Sequence, residues 1–414
     1  MSAPDPQSLG QRAEAMLTEL GGISAEPGRR VRLFLTPEHR RAADLVAHWM
    51  RDAGLSVTED ALGTVRGRYG EGRRLLIGSH IDTVIDAGKY DGPLGVVAGV
   101  LAVDYFAKAG RKLPFGIDVL AFGDEEGSRF PATLASSSAC AGVFDLDTLP
   151  LADAKGVTIA GALKAYGKDA TGIPGAAYTL GEAAAYVEVH IEQGPVLEAR
   201  NQPLGVVTGI VGQHRVRVNV TGEAGHAGTV PMGLRRDALA GAAEMALALE
   251  RIAKEHPGDG MVGTVGRIEA SPGAVNIIPG RVAFTIDLRS LTDSLRLAAL
   301  KKFEMEAKRI AGTRGLFFSM ETFHEIATAH CAPVLQEGLA SAVTGLGHSP
   351  IRLPSGAGHD AQIMTRLCPS AMLFVRCRGG VSHNPAEFAS VADMGLAIAA
   401  LIGFIETFDP AKLG

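Results

Sequence analysis

A set of imidazoles and carboxylates falls where buried strands should end. His80 closes the apolar run RLLIGSH and is followed by Asp82. Asp91 opens DGPLG, directly before an apolar helical stretch (about 93–109). Glu125 and Glu126 follow GIDVLAF in the segment GDEEGSRF, His190 lies in YVEVHIEQGP, and His383 lies in GGVSHNPAE. In open α/β sheets, sites gather at strand carboxyl ends. Imidazoles placed around a carboxylate cluster suit borderline cations such as zinc or manganese. Singly, each residue has an ordinary explanation: a strand-end His bonded to backbone, an Asp that only caps a helix, a solvated Glu pair. Their joint occurrence points to a metal-binding site.

These residues need elements to hold them. One helix is expected from Thr36 as N-cap with Pro37 in the first helical position. Ala42, Leu45, Val46, Trp49 and Met50 then recur at helical spacing, and Gly54 ends the helix. Short apolar runs at 74–80, 116–126, 186–192 and 371–377, set between helical stretches, predict buried strands of an α/β sheet. The middle differs, because RVRVNVTGE (215–223) alternates polar and apolar residues as a strand with one wet face does. An Ala-rich helix (about 236–255), strands near 261–269 and 281–289, a helix (about 293–312) and the strand GLFFSME (315–321) follow. That order predicts a ferredoxin-like α+β domain at 213–327, inserted into a larger catalytic α/β domain formed by 1–212 and 328–414.

At 414 residues the chain is too long for one ordinary core. A net charge of −5 argues against nucleic acid or an anionic membrane as the partner, and the pairs Arg73–Arg74 and Arg235–Arg236 read as solvated surface. Cys140, Cys331, Cys368 and Cys377 show no CxxC spacing, which fits a reducing compartment without a disulfide framework or zinc knuckle. MSAPDPQSLG lacks the basic-then-apolar run of a signal peptide, and no apolar stretch reaches membrane-spanning length. The expectation is a cytoplasmic enzyme with a small-molecule substrate.

The segments GSHIDTV, GKYDGPLGV, DEEGSRF, VEVHIEQGPVLE, GEAGHAGTVPM and SHNPAE resemble the dinuclear metallopeptidase and aminoacylase clan. More narrowly they resemble its hydantoinase/carbamoylase branch, which includes N-carbamoyl-L-amino acid hydrolases, β-ureidopropionases and allantoate amidohydrolases. The likeness runs from about residue 30 to residue 405. EVHIEQGPVLE and GEAGHAGTVPM are specific to the branch, whereas HxD and DEE are shared across the clan. The resemblance implies two divalent ions, Zn²⁺ or Mn²⁺ with Co²⁺ or Ni²⁺ as substitutes. His80 and His190 would hold one, Glu126 and His383 the other, and Asp91 would bridge both. Glu125 would be the catalytic acid/base and Asp82 the partner that orients His80. In the inserted domain His226 would stabilise the oxyanion, while Asn276 and Arg289 would hold a substrate carboxylate. Gln193, Gln213 and His359 would line the pocket. The resemblance also implies a homodimer in which His226 reaches the metals of the other subunit. Without it, His226 reads as a flexible surface-loop His between glycines, Asn276 as a turn residue and Arg289 as an exposed strand end. Many relatives carry an Arg in the segment after GSRF; here TLASSSACAG places Ser138 there, which weakens the analogy for substrate choice if that Arg shapes the relatives' pocket.

The reaction implied is hydrolysis of a ureido (N-carbamoyl) group on a small carboxylate, giving ammonia, carbon dioxide and an amine. Allantoate comes first, because GIVGQHRVRV and GSRFPATL lean towards allantoate amidohydrolases. N-carbamoyl-L-amino acids or N-carbamoyl-β-alanine come next, and an aminoacylase or dipeptidase last, since HIEQGP matches those enzymes poorly. Two readings come from other classes. A serine-type amidase built on Ser136–Ser137–Ser138 lacks the Gly-Gly-Ser-Ser-Gly setting and a placed Lys. A binding protein without catalysis would need no Glu125. SGAGHDA (355–361) is not a phosphate loop, since no Lys-Ser/Thr follows its glycines.

Overall fold

The apolar runs Arg74–His80, Gly116–Phe122, Ala183–Ile191 and Ser370–Val375 are buried along their whole length. They pair as parallel strands in the order 116–122, 74–80, 183–191, 370–375. Burial on both faces is why they carry continuous rather than alternating apolar residues. Antiparallel strands extend the sheet on either side: Val65–Tyr69 then Ser56–Glu59 beyond 116–122, and Leu204–Ile210 beside 370–375. In the computed structural model, residues 4–255 and 260–413 are described. The chain divides into two compact units, Met1–Thr208 with His330–Gly414, and Gly209–Ala329.

In the first unit the chain leaves strand 74–80 through helix Pro93–Lys108 and returns as strand 116–122 on one side, while 183–191 lies on the other. The strand order therefore reverses beside His80, which makes a topological switch point where open α/β sheets bind ligands. Helix Pro93–Lys108 is apolar nearly all round and buried nearly all round, as a helix packed between a sheet and further helices must be. Helices Pro6–Gly21 and Val391–Thr407 pack against it. Helix Pro37–Asp52 starts where Thr36 Oγ1 accepts the His39 N–H (3.2 Å), and Gly54 follows its C-cap with φ +84°.

The second unit is a four-stranded antiparallel sheet in the order 317–326, 212–221, 281–290, 262–271. Helices Ala238–Lys254 and Asp293–Arg314 cover one face. Val216, Val218, Met245, Leu249, Phe284 and Phe303 are part of the core between them. Chain order within the unit is strand–helix–strand–strand–helix–strand, the ferredoxin-like arrangement. The architecture is thus α/β with a smaller α+β unit inserted.

Two of the arginines expected on solvated surface are not there. Arg74 is buried; its Nε donates to Asp118 Oδ1 (2.6 Å) and its Nη2 to the Ile117 carbonyl. The carboxylate that justifies its burial sits on the neighbouring strand, out of reach of local sequence reading. Arg235 is half-buried and donates to the carbonyls of Ala227 (2.6 Å) and Val230 (3.0 Å). Cys140, Cys331, Cys368 and Cys377 are free and buried. No helix among the described residues is long and apolar enough to cross a membrane.

Candidate metal-binding active site

The strand ends and following loops of the first unit bring His80, Asp91, Glu125, Glu126, His190 and His383 into one cluster. His80 and Asp91 are joined by a turn that leads into helix 93–108 through Gly92. Gly92 has φ +82°, and a Cβ there would collide with the His80 ring, so only glycine serves on both counts. Asp91 then faces two ways. Its Oδ1 lies 3.2 Å from His190 Nε2 and 3.7 Å from His80 Nε2, while its Oδ2 lies 3.3 Å from His383 Nε2. Glu126 Oε2 is 3.5 Å from the same His383 nitrogen, and Glu125 Oε2 is 3.9 Å from His80 Nε2. Ligand atoms of His80, Asp91 and His190 lie within 4.8 Å of one another, as do those of Asp91, Glu126 and His383.

Asp82 braces two parts of this cluster. Its Oδ1 is 3.4 Å from His80 Nδ1, and its two oxygens accept the backbone N–H groups of Glu125 and Glu126, each at 3.3 Å. One carboxylate thus orients a histidine and the adjacent glutamates together. Asp124, Gln193 and His383 all have φ in the left-handed region (+66°, +55° and +54°). Such strain persists only where the surroundings impose it, and it concentrates at functional sites.

The charges are unbalanced in a way that a cation would correct. Burial works against ionisation of Asp91, yet the three imidazoles prevail and hold its carboxyl well below the usual range. Burial raises Glu126 to about 7, with Asp91 adding repulsion. Burial also lifts Glu125 well above its ordinary value; His80 opposes this and Glu126 adds to it. Asp91 raises His383 to about 9. Glu126 Oε1 is buried without a hydrogen-bond partner, a costly state for a polar atom, and the buried His190 Nε2 faces the Asp91 carboxylate, at 3.2 Å. Imidazole and carboxylate donors of this kind fit zinc, manganese, cobalt or nickel, so the residues present fit divalent ions.

The other expected residues are placed as follows. Gln193 Nε2 donates to Asp91 Oδ2 (2.8 Å) and to Ser382 Oγ (3.2 Å). His359 is buried edge-on to His190, ring centroids 4.5 Å apart, with Nε2 2.7 Å from Ser355 Oγ. Burial holds its pKa well below the usual imidazole value, so it braces the His190 ring as a neutral group. Ser138 is half-buried in the helix Ala135–Cys140.

In the second unit, His226 is not on a loose loop. It forms a two-residue strand paired with Ile277–Ile278, and the Ala227 N–H donates to the Asn276 carbonyl (2.9 Å), so His226 and Asn276 are neighbours. The Gly228 N–H donates to His226 Nδ1 (3.0 Å), which leaves the proton of the neutral ring on Nε2. Gln213 and Arg289 sit opposite each other across the sheet. Asp287 joins them: Arg289 Nε and Nη2 donate to its two oxygens (2.8 Å each), and Gln213 Nε2 donates to Oδ2 (2.6 Å).

Sequence reasoning passed over Glu387 and Ser382, although both belong to the SHNPAE segment that carries His383. Ser382 Oγ is 2.6 Å from Asp91 Oδ2, and Glu387 is buried beneath the Asp91 turn. An acidic residue four positions after a ligand-type His was the available signal.

Fold and site together define the class, a hydrolase whose acidic and imidazole groups meet at the carboxyl ends of a parallel sheet. The chain belongs to peptidase family M20/M25/M40, whose profile matches residues 76–407. It is 42% identical to an allantoate deiminase of Arabidopsis thaliana, over 96% of this chain and 82% of that protein. It is 43% identical to an N-carbamoyl-L-amino acid amidohydrolase of Geobacillus stearothermophilus, over 93% of this chain and 95% of that one. The crystal structure of an amidase of the hydantoinase/carbamoylase family from Burkholderia multivorans superposes with a TM-score of 0.90 at 32% identity, covering 97% of both chains. The protein is a hydrolase acting on non-peptide C–N bonds.

Proposed function

We propose that this enzyme hydrolyses the carbamoyl C–N bond of a small ureido carboxylate, with allantoate as the first candidate and N-carbamoyl-L-amino acids or N-carbamoyl-β-alanine as the second. The observation that carries this reading is Asp91, whose two oxygens face two different donor sets while Glu125 stands beside one of them. His80 and His190 would hold one divalent ion, Glu126 and His383 the other, and Asp91 would bridge them. Bound there, the ions would polarise the carbamoyl oxygen and make water acidic enough to react near neutral pH.

The chain's own groups do the rest. Glu125, with its carboxyl raised by burial, takes a proton from the attacking water and passes it to the leaving nitrogen. The products are ammonia, carbon dioxide and an amine. His226 offers Nε2–H to the developing oxyanion, a contribution of roughly 10²–10³ in rate for donors of this type. Arg289 and Asn276 hold the substrate carboxylate, and Asp82 fixes His80. The serine-type alternative loses support from the hydroxyls themselves. Ser136 Oγ accepts the Gly123 N–H (3.1 Å) and Ser137 Oγ donates to the Leu134 carbonyl (3.3 Å), both buried within a short helix.

In this reading the enzyme is a cytoplasmic homodimer, with His226 supplied by a second copy of the chain. Leu239 and Leu247 on helix Ala238–Lys254, and Val262 and Ile268 on the edge strand, are exposed apolar side chains of the kind that copies of a chain cover. Co-refolding His226→Ala with Glu125→Gln tests this. If His226 acts across the dimer, each mixed dimer has one intact site, and about a quarter of parental activity returns. Proven heterodimers without regained activity would place His226 in its own subunit. Substrate class is tested by ammonia release from metal-reconstituted enzyme given allantoate, N-carbamoyl-amino acids, N-carbamoyl-β-alanine and an N-acetyl-amino acid. Turnover of the acetyl compound alone would overturn the ureido reading.

A further inference from the structure

Glu387 is only 5% exposed, and no basic side chain hydrogen-bonds to it among the described residues. Its Oε1 instead accepts two backbone N–H groups from the far side of the sequence, those of Tyr90 (2.9 Å) and Asp91 (3.1 Å). Its Oε2 lies 3.1 Å from Ser382 Oγ, and that hydroxyl is 2.6 Å from Asp91 Oδ2. The carboxylate fills its niche closely, since a Cβ at Gly88 would collide with it. Below the turn, helix Pro93–Lys108 begins with Gly92, which gives no side-chain cap, and Pro93, which has no N–H. Locally the Tyr90 carbonyl accepts the Leu94 N–H (3.1 Å), but no local side chain or helix carbonyl takes the N–H groups of Tyr90 and Asp91 among the described residues. The acceptor comes from residue 387, four positions after His383.

We propose that Glu387 is a positioning residue: it clamps the Asp91 turn to the His383 segment and so sets the distance between the donor groups on either side of Asp91. This rests on the reading of Asp91 and His383 as metal ligands. What matters in the clamp is reach. Two N–H groups converge on one oxygen, and a side chain that places an acceptor there reproduces the arrangement whether or not it is charged. Glutamine does so: its carbonyl oxygen takes the two N–H bonds and its amide donates to Ser382 Oγ, leaving the hydroxyl proton for Asp91. Aspartate keeps the charge but retracts the acceptor by one bond, ~1.5 Å, beyond hydrogen-bond distance of both N–H groups.

The experiment compares the full-length parent with Glu387→Gln and Glu387→Asp, each stripped of metal and titrated with Mn²⁺ alone. Bound ion per chain is read directly, and the melting temperature of each metal-free protein is recorded. The expected result is loading of Glu387→Gln close to the parent's. Glu387→Asp should need about ten- to a hundred-fold more Mn²⁺ for half-loading of at least one site, the cost typical of losing a partner that orients a ligand. Metal-free melting of the two variants should be alike. The proposal is overturned if Glu387→Asp loads as the parent does, if Glu387→Gln is impaired as much as Glu387→Asp, or if only metal-free melting changes. A parent that binds no Mn²⁺ would instead overturn the metal reading on which the proposal rests.

Discussion

The two units hold their candidate functional side chains in opposite ways. In the first, His80, Asp91 and His190 are buried, and each is braced by a dedicated neighbour. Asp82 stands beside His80, Gln193 and Ser382 bond to Asp91, and His359 packs against His190. In the second, His226 and Asn276 are exposed, and Arg289 is held by Asp287 on the open face of a sheet. A buried cluster of charge must be braced in advance, because nothing nearby will solvate it if it shifts. Exposed groups rest on local hydrogen bonds and water until a ligand arrives. Changes in the first unit should therefore reach metal and chemistry, and changes in the second should reach substrate choice.

The largest effect expected separates two neighbours within the braced cluster. Glu125→Gln should keep the full metal complement and lose roughly 10²–10⁴ in kcat, the usual worth of a positioned acid/base. Glu126→Gln should instead lower occupancy by one ion. Metal analysis beside single-turnover kinetics checks both. Equal metal loss in the two variants would erase the distinction between them.

On the open face, Arg289→Ala should harm an acid substrate more than its amide, by about ten- to a hundred-fold in kcat/KM, the scale of one charge-assisted hydrogen-bond pair. The metal content should not change. An equal loss on acid and amide would show that Arg289 does not read the carboxylate.

A smaller effect concerns stability of the first unit. His39 is buried, its Nε2 has no hydrogen-bond partner, and burial drives its pKa down to about 3, with Arg32, Arg40 and Arg129 adding to the shift and Asp82 opposing it. The folded state refuses a proton that the unfolded state takes up below its ordinary pKa of ~6.5. Stability is therefore present above that pH and is lost as pH falls towards 3, by about 1.4 kcal/mol per pH unit. Trp49, the sole tryptophan, lies on the same helix as His39 and reports its unfolding. Denaturation followed by its fluorescence should show a steeper loss from pH 7 to 5 in the parent than in His39→Gln. Parallel curves would mean that His39 is not the group concerned.

The contrast also explains what could be read from the sequence. His80, Glu125, Glu126 and His190 were legible because apolar runs reveal where buried strands stop, and the groups at those ends stand out. Asp91 was legible because an apolar helix begins just after it. Glu387 was not, since it accepts N–H groups from a turn almost 300 positions earlier, and no periodicity records such a contact. Arg74 was misread for a related reason, its counter-charge being on the adjacent strand. In the second unit the helix and strand pattern was plain, but the roles proposed for His226, Asn276 and Arg289 came from resemblance alone. Exposed polar residues on a sheet face carry no pattern of their own, and Asp287, which holds Gln213 and Arg289 together, went unnoticed.

The central claim is that the braced cluster in the first unit is a two-ion centre for ureido hydrolysis. It is tested most directly by measuring ammonia release and bound metal on the same samples, as stripped enzyme is titrated with Zn²⁺ or Mn²⁺ in the presence of allantoate or an N-carbamoyl-amino acid. The account predicts no release from the stripped chain and activity that rises to its plateau as two ions bind per subunit. Full ammonia release from protein carrying no metal, or two bound ions without turnover of any ureido substrate, would contradict it.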